Sequence, residues 1–84
     1  MAELTSMRNI GKELETKLKS IGIYSTEDLV QTGSKEAFFR LKMHYSNVCL
    51  VHLYALQGAI DGTEYNQLPD EVKQDLKKFN DDLK

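Results

Sequence analysis

Leu14, Leu18 and Ile21 follow one another at spacings of four and three, with Glu15, Thr16, Lys17, Lys19 and Ser20 between them. That is the repeat of one buried face on a helix. The repeat returns near the C-terminus, where Val72, Leu76, Phe79 and Leu83 stand at i, i+4, i+7 and i+11. Between the two, residues 48–60 are apolar almost all round, through Val48, Leu50, Val51, Leu53, Tyr54, Leu56 and Ile60. A helix of that kind belongs at the centre of a bundle. Strict apolar–polar alternation, the mark of a half-buried strand, is scarce. The pattern predicts an all-α fold, a small bundle of five to six short helices.

Glycines and capping residues mark the breaks. A first short helix is expected over residues 2–8, followed by a tight turn at Asn9-Ile10-Gly11. Asn and Gly both tolerate positive φ. The second helix runs from Lys12 to Ser20, with Gly22 just past its end and Ile23 as the apolar contact that accompanies such a turn. Ser25-Thr26-Glu27-Asp28 resembles a capping box for a helix over 26–32, ended by Gly33. Ser34 is placed to cap a helix over 35–45, and Ser46 one from Asn47 to Asp61, closed by Gly62. Leu68-Pro69-Asp70-Glu71 opens the last helix, with proline at its first position and acids in its first turn. A helix, a glycine turn and a helix at the N-terminus make a helix-hairpin-helix-like unit.

Length and charge narrow the reading. An 84-residue chain holds one core, so residues 1–84 are read as a single domain. The net charge of −2 runs against a dedicated nucleic-acid binder, which is usually basic. Residues 1–20 carry a small cationic excess, and so do residues 35–44, whereas acids collect over 61–82. Any polyanion site therefore belongs in the first half. Cys49 is the only cysteine, which rules out an intrachain disulfide and fits a reducing cytoplasm. The longest apolar run, Val48 to Ile60, is interrupted by His52, Gln57 and Gly58 and is too short to span a bilayer.

The residues offer four kinds of candidate site. The turn Arg8-Asn9-Ile10-Gly11-Lys12 is the candidate for DNA phosphate: helix N-terminal amides bind anions, Gly11 admits a close backbone, and Arg8 and Lys12 add charge. The same residues also read as a plain corner between two helices. Cys49 and His52 stand at i, i+3, with His44 nearby, but a structural zinc needs four ligands, so no metal and no cofactor is expected. Cys49 reads instead as a small core residue. No third group orients that pair as a nucleophile, and a small helical bundle leaves little room for a deep cleft, so the chain reads as a non-enzyme. Phe38, Phe39, Met43, Tyr45 and Phe79 form the candidate protein interface, because two apolar stripes on one helix exceed what a small bundle covers. In the competing reading the last helix closes over them.

The longer strings carry a resemblance. RNIG (8–11), IGIYSTEDL (21–29), TGSKEAFFRLK (32–42), LYALQGAIDG (53–62) and LP (68–69) occur in order over about residues 4–79. Together they resemble the C-terminal domain of the TfoX/Sxy family, regulators associated with DNA-uptake competence in bacteria. The resemblance implies an all-α domain with helix-hairpin-helix character, here without the N-terminal TfoX domain of the longer members. Family members often carry Trp where this chain has Tyr65. Arg8 and Asn9 depart from the proline and glycine of the hairpin motif. Two function classes follow. One is a regulatory module meeting the DNA backbone non-specifically through the first hairpin. The other is a protein-interaction or dimerisation module.

Overall fold

The computed structural model of the chain describes residues 3–83. Among the described residues the fold has five α-helices and two 3-10 turns: a first 3-10 turn Leu4–Ser6, α1 Lys12–Ser20, α2 Thr26–Thr32, α3 Ser34–His44, α4 Leu50–Asp61, a second 3-10 turn Tyr65–Gln67, and α5 Asp70–Asp82. α1 and α2 have the bounds that their glycines and caps predict. The Ser25 side chain accepts from the Asp28 amide (3.2 Å), as an N-cap should. At the end of α1, the Ile23 amide donates to the Leu18 carbonyl (3.0 Å) across Gly22, and Ile23 itself is fully buried. Gly33 alone joins α2 to α3, at φ 86 and ψ 156. That region of backbone space is almost restricted to glycine.

Several elements differ from the sequence reading. Ser34 does not cap α3 but is its first residue, its hydroxyl donating to Gln57 Oε1, and Gly33 takes the cap position. Pro69 is the N-cap of α5 and not its first helical residue. The arm before the first turn is a single 3-10 turn, shorter than the helix expected over 2–8; residue 2 lies outside the described residues. Met7 is extended and Asn9 left-handed, so no helix can run up to the turn. The central helix starts at Leu50 instead of Asn47. Ser46 and Asn47 form a turn that leads Val48 into the core, and Ser46 stays exposed. The cap is supplied by the next turn: the Cys49 amide donates to His52 Nδ1 (3.1 Å).

α4 holds the fold together, packing against α3, α5 and the second 3-10 turn. Leu53 and Leu56 are fully buried. Around them gather Leu4, Leu18, Leu29, Phe38, Leu41 and Leu76, one leucine-rich cluster drawn from nearly every element. α5 closes the bundle with Leu76 inside and Val72, Phe79 and Leu83 packed on the core's edge. Lys35 ties α3 to α5 through Asp75 (2.7 Å). No helix among the described residues is long and apolar enough to cross a membrane.

Gly58 sits where α4 meets the chain that follows it. A Cβ placed there would lie 2.6 Å from Asn9 Nδ2 and closer still to the Thr63 carbonyl. The Thr63 amide meanwhile donates to the Gly58 carbonyl (2.8 Å), so neither side can yield without breaking the helix end. Gly58→Ala is therefore expected to lower stability by about 1–3 kcal/mol despite alanine's better helix propensity. Chemical denaturation of the two proteins side by side measures this; equal midpoints would contradict it.

Candidate functional site

The Asn-Ile-Gly turn that opens the domain is built around Asn9. Its backbone is left-handed (φ 69), and it is the one non-glycine residue of that kind among the described residues. Asparagine tolerates this region better than other side chains because its short amide bonds locally. Here the amide bonds far away instead. Nδ2 donates to the Thr63 carbonyl (3.0 Å) and the Ala55 carbonyl (3.4 Å), and Oδ1 accepts from the Tyr65 amide (3.2 Å). One side chain thus clasps α4 and the loop leaving it. Ile10, next in line, is 5% exposed and anchors in the core.

The five residues proposed to meet phosphate are therefore not presented together. Ile10 is inside and Asn9 is engaged. Arg8 is held by Glu64 (2.9 Å), an acid from the clasped loop. Gly11 is exposed and caps α1 with no side chain over it. Lys12 is exposed and makes no ion pair among the described residues. Behind it, α1 interleaves acids with its cations: Glu13 lies 3.4 Å from Lys17 and Glu15 4.0 Å from Lys19. Arg40 pairs likewise with Glu36 (2.9 Å). Among the described residues, Lys12 and Lys42 are the two of the seven lysines and arginines in residues 1–42 that make no ion pair, and Lys42 lies over the Phe38 ring.

The proposed protein face also divides. Phe38 is fully buried and cannot touch a partner; the side of α3 that carries it faces the core. Tyr45 is half-buried, its hydroxyl 2.7 Å from Ser20 Oγ and its ring 5.4 Å from Lys17 Nζ. Phe79 packs at the core's edge under Lys35. Phe39 and Met43 remain outside, at 40% and 71% exposure. They are one helical turn apart on α3, on the stripe adjoining the buried one.

A groove of about 380 Å³ opens between α1 and α4. Leu14 and Ala55 form its floor, and Val51 and Tyr65 stand along it, half in solvent. Gly11, Glu13, Lys17 and His52 complete its edge. His52 is fixed by its own cap, since an Nδ1 that accepts the Cys49 amide leaves the ring proton on Nε2. Cys49 is exposed, not the core residue its type implies, because it occupies the extended cap position of α4. Among the described residues no three His, Cys, Asp or Glu side chains gather to hold a metal. Sequence reasoning missed this groove. Val51 was counted with the buried face of an all-apolar helix, and Tyr65 lies outside every helix.

The family profile of the TfoX C-terminal domain matches residues 1–80. The chain belongs to the TfoX C-terminal domain family. Two crystal structures of proteins from Listeria monocytogenes share its fold. One, a triclinic form of an uncharacterized protein, is 44% identical with a TM-score of 0.95, covering 98% of this chain and 93% of that one. The other, a tetragonal form of a protein of unknown function, is 43% identical with a TM-score of 0.94, covering 98% and 100%. No match was found among curated proteins. In this TfoX C-terminal domain the RNIG string that carried the resemblance is thus the clasp itself, Arg8 to Gly11.

The clasp has a direct test. Asn9→Gly keeps the left-handed backbone but removes all three hydrogen bonds, and should cost about 2–3 kcal/mol. Asn9→Ala should cost about 1 kcal/mol more, for the left-handed backbone. Thermal melts of the three proteins give the order. A fully stable Asn9→Gly protein would show that the clasp contributes nothing.

Proposed function

We propose that this TfoX C-terminal domain is a non-enzymatic regulatory module, working in the cytoplasm through a protein partner. The observation that supports a protein over DNA is the state of the cations around the first hairpin. A phosphate backbone is gripped by several free cations on one surface, and phosphate contacts supply most non-specific affinity. Here Arg8, Lys17 and Lys19 each face a carboxylate, and Asn9 spends its amide within the fold. Lys12 alone makes a weak track for a polyanion. The net charge of −2 adds long-range repulsion. Exposed Val51 and Tyr65 at the groove, with Phe39 and Met43 on α3, offer the apolar and aromatic anchors that protein interfaces use.

The DNA reading keeps one foothold, the open N-terminus of α1 beside Lys12. Fluorescence anisotropy of a labelled duplex at about 50 and 150 mM salt separates the two. The expected outcome is no saturable binding at either salt. Saturable binding lost in Lys12→Glu, with a log–log salt slope near −0.9 for each phosphate neutralised, would reverse the assignment.

A further inference from the structure

Resting on that interaction reading, we propose that the groove between α1 and α4 receives a partner segment in which a large apolar residue lies next to a carboxylate. Its size fits the apolar half. At about 380 Å³ the groove lies at the low end of ligand pockets, which run from about 300 to 1,000 Å³. That is room for one large side chain and its neighbours. Leu14 and Ala55, each 8% exposed, give it an apolar floor. Val51 and Tyr65, at 52% and 42%, hold apolar surface in water that an inserted side chain would cover. They are the two exposed large hydrophobic residues that converge on this concavity. Nothing lies within 4 Å of where a Cβ on Gly11 would stand, so the mouth stays open.

Polar chemistry selects the other half. The Nε2 proton of His52 is a donor in the wall, and the Tyr65 hydroxyl has no partner among the described residues, whereas Lys17 is taken up by Glu13. Lys12 lies between the lining residues Gly11 and Glu13, exposed and with no ion pair among the described residues. The one carboxylate of the lining, Glu13, is occupied by Lys17. Donors in excess over acceptors call for an acceptor on the partner, and Lys12 makes a negative one preferable. Exposed ion pairs add little affinity, so the apolar side chain supplies the binding and the charge sets the choice of partner. A phosphodiester backbone brings the negative charge but leaves the apolar floor uncovered.

A library of random 12-residue peptides on phage, panned against the whole domain, tests this. An enriched peptide is then synthesised and titrated into 15N-labelled protein. The expected consensus places one large apolar residue beside Asp or Glu. Amide shifts should centre on Gly11, Leu14, Val51, Ala55 and Tyr65. Lys12→Glu and Val51→Glu should each weaken the peptide about tenfold or more through like-charge contact. Both positions are exposed, so both variants should melt with the wild type; this separates lost binding from lost folding. No enrichment, a basic consensus, or affinity indifferent to both variants would overturn the proposal. Peptides that map to Phe39 and Met43 would overturn the groove and leave the interaction reading standing. Salt-dependent duplex binding, as above, would remove the interaction reading itself.

Discussion

One side-chain amide joins the N-terminal turn of this domain to the end of α4 and the loop that leaves it. Asn9 belongs to the turn before α1, yet its three partners are 46, 54 and 56 residues downstream. Without it, the N-terminal 3-10 turn and the loop after α4 have few reasons to adjoin. With it, the loop from Thr63 to Tyr65 is held against the hairpin, and Glu64 arrives beside Arg8. Gly58 is the necessary counterpart, because only a residue without Cβ admits both Thr63 and the Asn9 amide at that point of α4. The pair explains why a polar residue and a glycine meet where the first turn passes the end of α4.

The groove follows from the same contact. Asn9 and Tyr65 both line it, and the Tyr65 amide is bound to Asn9 Oδ1. The clasp therefore sets the position of one wall relative to the floor supplied by Leu14 and Ala55. His52 on the opposite side is held by a separate local device, the cap at Cys49. A surface whose walls are fixed before a partner arrives loses little ordering entropy on binding, which favours affinity from a small area. In this arrangement Gly11 leaves the mouth of the groove without a side chain over it.

Much of the fold was legible where both ends of an element carried local signals. α1 lies between Gly11 and Gly22, α2 between Ser25 and Gly33, and α5 begins after Pro69. The start of α4 was not legible by type. Ser46 is a better cap than Cys49 in isolation, but Val48 is drawn into the core, and His52 rescues the cap one turn later. On α3 the period placed Phe38 and Phe39 on neighbouring stripes, and only packing against the rest of the bundle decided which one faces inward. The site was the least legible part. The role of Asn9 depends on partners more than forty residues away, and no local pattern encodes them. Of the two cations in the phosphate reading, Arg8 meets an acid 56 residues away and Lys12 makes no ion pair among the described residues, while Lys17 and Lys19 pair with acids of their own helix at i, i+4.

Native-state hydrogen exchange at the Tyr65 amide tests the clasp most directly. Tyr65 is an exposed residue at the start of a 3-10 turn, so its amide has no reason for protection except its bond to Asn9 Oδ1. If the clasp ties hairpin to loop, that amide should exchange as slowly as the α4 amides around it, opening only with the core. Exchange at the rate of an unstructured chain would mean that Asn9 does not hold the loop. The hairpin would then be free to serve something other than the fold.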